Sequence, residues 1–251
     1  MQLSAIVRHL DGLLHSEPLR DAALNGLQVG GDGEVTRVGV AVDARLATFR
    51  AAADAGCGLL VVHHGLFWGS PFPWTGAEYA RVALLTSRRL ALYASHLPLD
   101  VHPVLGNNVQ LLRGLGITPR ERFGDYHGVA VGWWGDLDAA LPREEVLARI
   151  RHLLGGPADL LPFGPSLVRR VAVLSGGGGG PDVLSALRAG ADLMLTGEAS
   201  HPLHALSEDW GANLVFGGHY ATEAFGVRAV AARLEEDLGL ETVFLPYPTG
   251  I

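Results

Sequence analysis

The chain has 251 residues, 48% hydrophobic and 18% charged, with 34 glycines, which excludes a disordered or collagen-like chain and suits one large α/β domain or two modest ones. A formal charge of −7 gives no global pull toward nucleic acid or an anionic membrane. The single cysteine excludes an internal disulfide and a cysteine-rich zinc module, and eleven histidines direct any metal hypothesis to nitrogen and oxygen ligands.

The longest apolar runs, such as Leu59–Val62 and Asn213–Phe216, fall far short of a bilayer span. The opening MQLSAIVRHLDGLLHSEP carries acidic residues and lacks a cationic start before an apolar core, so it is not read as a secretory signal. A cytoplasmic protein is the simplest reading.

In chain order, LSAIVRHLDGLL has the apolar spacing of a helix. RVGVAVDA reads as a strand, RLATFRAAADAG as a helix closed by Gly56, and CGLLVVHH as the next strand. That is a βαβ unit, which implies parallel pairing and a right-handed crossover. EYARVALLTSRRL gives a helix, ALYASHLPLD a strand running into a loop, and NNVQLLRGLG a short helix with a glycine stop. A second block opens near Tyr126. HGVAVGWWG is a strand, PREEVLARIRHLLGG a helix, VRRVAVLSGGGGG a strand and loop, and PDVLSALRAG a helix. ADLMLTGE is a strand, SHPLHALSEDWG a helix, ANLVFGGHYATE a strand entering a helix that continues to about Leu238, and ETVFLPYP closes the chain.

The pattern predicts an α/β fold of two interleaved lobes built mostly from parallel βαβ units. Residues 1–125 with about 212–251 are expected to form a metal-binding lobe and residues 126–211 a second one. The metal site is expected at strand ends in the cleft between them, since open α/β sheets build sites at the carboxyl edge of their strands.

Three strand ends carry ligand-type residues: His63 and His64; His96 and Asp100; His219 and Glu223. Adjacent residues of a regular strand point to opposite faces, but the turn at Gly65 relaxes that restriction for the histidine pair. His219 and Glu223, four apart behind a glycine bend, share one face of a helical turn. A carboxylate has two oxygens and can bridge two ions, so three histidines with two carboxylates suit a pair of divalent ions about 3.5–4 Å apart. The alternative for each residue taken singly is a hydrogen-bonded or surface group, the common fate of a histidine at a strand end.

Together the segments NGLQVG (25–30), VVHHGLFW (61–68), ALYASHLPLD (91–100), GNNVQLL (106–112), LTGEASH (195–201) and GGHYATE (217–223) resemble the NIF-three-like dinuclear metal-centre family, whose bacterial members carry the name GTP cyclohydrolase I type 2 homologue. They occur in family order and span nearly the whole chain. The resemblance implies metal ligation by His63, His64, Asp100, His219 and Glu223. His96 lies in a matching motif, as a ligand or as a residue that supports the ligands. Two departures are Leu97, where relatives often have a polar residue, and Leu66, where they often have proline; neither removes a ligand. The long middle domain of some relatives is absent, and the resemblance implies a short form that assembles as a ring-shaped homohexamer.

Other residues are weaker candidates. SGGGGG (175–180) lacks both the Lys-Ser/Thr of a P-loop and the third glycine of a dinucleotide fingerprint. Gly177 and Gly178 are candidates for contact with a substrate phosphate or a neighbouring subunit, against a plain strand-to-helix loop. Glu198 and His201, with His96, are candidates for proton transfer, against a helix-cap region with an exposed histidine. Phe67 and Trp68 are candidates for an apolar wall against a substrate base, against core packing. Asp43 ends a strand near the histidines and is a candidate to support them. Cys57 is expected to be buried and inert.

Two classes of function follow. One is a dinuclear metal hydrolase: if the resemblance extends to the activity, the substrate is GTP, whose imidazole ring opens at C8 with loss of formate. A phosphoesterase would use the same ions on other substrates. The other class is a metal-binding or adaptor ring without turnover. The nitrogen and oxygen donors accept Zn, Mn, Fe, Co or Ni according to geometry and supply.

Overall fold

The computed structural model describes residues 1–14, 19–31 and 33–250. In chain order the elements are α1 (Leu3–Leu14), β1 (Gly26–Val29), β2 (Arg37–Asp43), α2 (Leu46–Asp54), β3 (Leu59–His64), α3 (Gly76–Ser87) and β4 (Ala91–Ala94). Next come α4 (Leu97–Asp100), α5 (Asn107–Gly114), β5 (Thr118–Phe123), β6 (Gly132–Pro142), α6 (Arg143–Leu154), β7 (Asp159–Pro162) and β8 (Leu167–Leu174). The chain continues with α7 (Gly180–Arg188), β9 (Leu193–Thr196), α8 (His201–Trp210), β10 (Asn213–Phe216), α9 (His219–Leu238) and β11 (Glu241–Phe244).

Two units are present. The first comprises Met1–Leu99 with Gly226–Tyr247; the second comprises Asp100–Phe225 with the segment from Pro248.

In the first unit the strand order is β1-β4-β3-β2-β11. All neighbours are parallel except β1, which runs antiparallel to β4. The central strand β3 is apolar without alternation (Leu59, Leu60, Val61, Val62, all buried), as expected where both faces of a parallel sheet are covered. Phe49 and Ala52 of α2 and Leu85 of α3 join Leu60, Val62 and Leu92 in one hydrophobic cluster. Each large side chain so buried contributes about 1.5–3 kcal/mol. In register across the sheet, Asp43 at the end of β2 lies beside His64 at the end of β3.

The second unit has the order β5-β6-β8-β9-β10-β7. Its parallel centre, β8-β9-β10, matches the βαβ expectation. The flanking strands β5, β6 and β7 pair antiparallel, so the sheet is mixed. Leu111 and Leu112 of α5 and Ile150 of α6 pack with Val171, Val173, Leu193, Leu195 and Val215.

The expected lobe limits near 125 and 212 differ from these units. β5 pairs with β6, and β10 pairs with β9 and β7, so backbone ladders draw both strands into the second unit. β1, β5 and β7 were not expected as strands. They are short, and TPRERF of β5 is mostly exposed, with no apolar alternation to read. The strand expected from His127 begins only at Gly132, after a tight turn closed by Tyr126 and Val129. Where a loop was expected after β4, the chain forms the single helical turn α4. No helix among the described residues is long and apolar enough to cross a membrane.

Candidate metal centre

The first unit gathers three imidazoles. His63 and His64 end β3, and His96 follows β4. Their ring centroids are 4.7 Å (His63–His64), 5.1 Å (His63–His96) and 5.7 Å (His64–His96) apart. One ligand atom from each lies within 4.8 Å of the others.

Every ring is oriented through Nδ1. His63 Nδ1 lies 3.0 Å from the Ser95 carbonyl oxygen, His64 Nδ1 2.9 Å from Asp43 Oδ1, and His96 Nδ1 2.9 Å from Asp21 Oδ1. A carbonyl or carboxylate oxygen only accepts, so Nδ1 carries the proton and, in the neutral ring, Nε2 carries the lone pair. This carboxylate–histidine arrangement fixes the tautomer and raises the basicity of metal-binding imidazoles.

Asp21 is the hub of this support. Its Oδ1 also accepts from Ala23 N at 2.9 Å, and its Oδ2 accepts from Asn25 Nδ2 at 2.9 Å and Leu97 N at 3.0 Å. Burial alone would raise its pKa, but the His96 hydrogen bond and charge, with the Asn25 and Ala23 donors, outweigh burial and hold the carboxyl at about 2. Asn25 Oδ1 in turn accepts the His96 backbone N–H at 2.7 Å. Gln28 holds the turn after β3: its Oε1 accepts from Leu66 N at 2.7 Å. A Cβ on Gly65 would lie 2.6 Å from that oxygen and 2.7 Å from Ala94 Cβ, so glycine is required for the chain to turn there. The N–H that proline would lack at position 66 is used here.

The second unit holds the carboxylates. Asp100 and Glu223 are buried, 7% and 3% exposed, and a carboxylate oxygen of one lies within 4.8 Å of a carboxylate oxygen of the other. Asp100 Oδ1 accepts from Asn107 Nδ2 at 2.9 Å and from Ser175 Oγ at 3.2 Å. Asn108 Oδ1 takes the Ser175 backbone N–H at 2.7 Å, which anchors the loop after β8. His219, at the start of α9, donates from Nδ1 to Glu198 Oε1 at 2.6 Å, and its Nε2 lies 2.9 Å from Glu223 Oε2, as the i, i+4 spacing anticipates. Pairing with Glu223 is the largest influence on His219; with Glu198 it overrides burial and pushes the imidazole pKa up to about 9.

Gly176 lets this cluster close. Its backbone is left-handed at φ 68°, and a Cβ there would overlap Glu223 Oε1 and lie 3.2 Å from His219 Nε2. Its carbonyl accepts from Gly197 N at 2.8 Å and Glu198 N at 2.9 Å, so the loops after β8 and β9 are joined beside the His219–Glu223 pair.

The remaining expected residues divide. Glu198 reaches the cluster, though through His219, and its side chain is 53% exposed. His201 is exposed at the first position of α8. Gly178 is buried, its N–H held by Thr196 Oγ1 at 3.0 Å, while Gly177 is exposed. The Asp182 carboxylate occupies the start of α7, accepting from Gly179 N at 2.9 Å. Phe67 packs against the hydrophobic cluster of the first unit, whereas Trp68 is 40% exposed with its ring 4.9 Å from His96. Cys57 is buried, as expected. Asp21, Asn25, Gln28, Asn107, Asn108 and Ser175 were not singled out from the sequence. The one available signal was that Asn25, Gln28 and the asparagine pair fall inside the segments that carry the family resemblance.

The donor set, imidazole nitrogens with fixed tautomers beside buried carboxylates, fits divalent transition-metal ions. Residues 1–249 match the family Duf34/NIF3 (NGG1p interacting factor 3). The chain belongs to the NIF3 family. Among NIF3 relatives, a protein of Deinococcus radiodurans named GTP cyclohydrolase 1 type 2 homolog is 42% identical, covering 98% of this chain and 93% of that protein. One of Archaeoglobus fulgidus with the same name is 42% identical over the full length of both. The crystal structure of TTHA1606 from Thermus thermophilus is 39% identical, with a TM-score of 0.88 over the whole of both chains.

Proposed function

We propose that this chain binds two divalent metal ions through His63, His64, Asp100, His219 and Glu223, and that it is a metal-dependent hydrolase acting on a nucleotide, GTP by the names of its relatives. The observation that carries the metal reading is the uniform treatment of the imidazoles. His63, His64, His96 and His219 all have Nδ1 against an oxygen acceptor, an arrangement that turning the rings for packing alone does not require.

Bound divalent ions supply Lewis acidity and bring the pKa of water toward neutrality. The chain's own residues do the rest. Asp43, Asp21, Ser95 and Glu198 hold the rings in the ligating tautomer, and Asn107 and Ser175 orient Asp100. Glu198 has one oxygen on His219 and a half-exposed carboxylate, which supports a role in passing a proton between the cluster and solvent. With GTP, the proposed outcome is hydrolytic opening of the base's five-membered ring and release of its C8 as formate. The family resemblance further supports assembly as a homohexamer, for which sedimentation should show no stable monomer at micromolar concentration.

Elemental analysis after metal loading should give close to two ions per chain, reduced in the His219→Ala/Glu223→Ala double variant. The loaded protein should then be incubated with a panel of nucleotides and read by mass spectrometry. Formate with a ring-opened or pterin-type product supports the reading. Inorganic phosphate as the sole product makes it a phosphoesterase, and two bound ions with every nucleotide intact overturn the hydrolase assignment.

A further inference from the structure

Trp68 is a large apolar side chain that is 40% exposed, although the partly buried Phe67 beside it packs against the core cluster. Its position is held on both backbone and side chain. Ala23 and Trp68 form an antiparallel bridge, flanked by Leu24 N to Phe67 O at 3.0 Å and Gly69 N to Ala22 O at 2.8 Å. The indole Nε1–H donates to the Gly65 carbonyl at 2.9 Å, which fixes the orientation of the ring. The same short segment that pairs with Trp68 contains Asp21 and Asn25, which orient His96. One backbone unit therefore sets both the indole and an imidazole of the cluster.

The indole and His96 rings form a T-shaped pair, at 72° and 4.9 Å, and the indole is tilted to His64, at 54° and 5.8 Å. A rigid, partly exposed aromatic ring at the border of a metal-ligating cluster is what a planar ligand needs if its ring, not its phosphates, is to be brought to the imidazoles. Stacking on a protein aromatic serves any heteroaromatic base, because every base has a π-face.

We propose that Trp68 is the stacking platform for a planar heteroaromatic ring, a purine-type base, held beside His64 and His96. This rests on the reading that the chain acts on a nucleotide, and it makes Trp68 a positioning residue that decides for the base rather than for the sugar or phosphates. The alternative role, packing alone, asks only for apolar bulk.

The test compares wild type, Trp68→Phe and Trp68→Leu as metal-loaded full-length chains. Both variants lose the bond to Gly65 and both remain apolar, so they differ in the aromatic ring. Calorimetric affinity for GTP, GMP and ribose 5-phosphate is measured with metal content alongside. Phe should bind GTP and GMP near wild-type affinity, and Leu about 5- to 160-fold more weakly, the range of one base–aromatic contact. Ribose 5-phosphate should bind all three proteins alike, with metal content unchanged. Leu binding GMP as well as Phe does overturns the proposal, as does a wild type that binds neither GTP nor GMP. Metal stoichiometry reports separately on the ligand assignment, so loss of two-ion binding with ring selectivity retained would remove the metal reading and leave Trp68 standing.

Discussion

Gly176 and Gly177 are neighbours in a run of five glycines, yet the structure assigns them opposite sensitivities. Alanine at 176 must adopt φ 68°, a left-handed conformation that costs an L-residue about 1–2 kcal/mol. Its Cβ would also overlap Glu223 Oε1 and lie 3.2 Å from His219 Nε2. The Glu223 side chain is 4% exposed, so it has little room to retreat, and displacing it disturbs its pairing with His219. A buried charge-assisted hydrogen bond of that kind is worth about 1.5–3 kcal/mol, which gives about 2.5–5 kcal/mol in all for Gly176→Ala. For a chain of this length each kcal/mol lowers the melting midpoint by about 2–4 °C, so the midpoint of the metal-free protein should fall by about 5–20 °C. Alanine at 177 needs no left-handed backbone, and its Cβ would meet Glu198 Oε2 at 3.4 Å, an ordinary contact. Gly177→Ala should leave the midpoint within about 2 °C, since such sites usually change stability by less than about 0.5 kcal/mol. Scanning calorimetry of both variants without metal, followed by zinc titration against a chelator, measures the two effects separately. Equal midpoints for the two variants, or wild-type zinc affinity in Gly176→Ala, would refute the reasoning.

Three further outcomes are expected. The metal-free His219 imidazole is pushed up to about 9 by Glu223 and Glu198 and must lose its proton to ligate. Metal uptake at pH 7 should therefore release a proton, and apparent affinity should rise with pH toward 9. Calorimetry in buffers of different ionisation enthalpy reads this directly, and proton release unchanged in His219→Gln would contradict it. Because the folded pKa is raised, the same pairing contributes stability to the metal-free chain that is fully present below about 6.5 and lost as pH rises through about 9. The melting midpoint of wild type should approach that of His219→Gln across that window. Asp43→Asn keeps an oxygen near His64 but removes the charge, and should weaken metal binding about 10–100-fold; Asp21→Asn should do the same through His96, and chelator competition can measure both. The Cys57 thiol, raised by burial to about 11, should react with an alkylating reagent at pH 8 at the rate of global opening only, and rapidly once the chain is unfolded in urea.

Local patterns already reveal much of this protein. The apolar spacing of Leu3, Ile6, Leu10 and Leu14 writes α1, and the unbroken LLVV run writes the buried centre of β3. The four-residue interval from His219 to Glu223 places both on one side of α9, because helical geometry depends only on neighbours along the chain. Ligand types at strand ends were legible for the same reason. Their support was not. Asp43 meets His64 because β2 and β3 pair in parallel with those residues in register. Asp21 reaches His96 across 75 residues, and Asn108 reaches the Ser175 backbone across 67. β5 and β7 exist only through the partners beside them, having too few residues and too little alternation to announce a strand. The division of the chain near Leu99 and Phe225 groups segments far apart in sequence, as where β11 pairs with β2. Such contacts form only where folding brings remote backbone together, so the chain by itself names the candidate donors while the tertiary structure decides what orients each one.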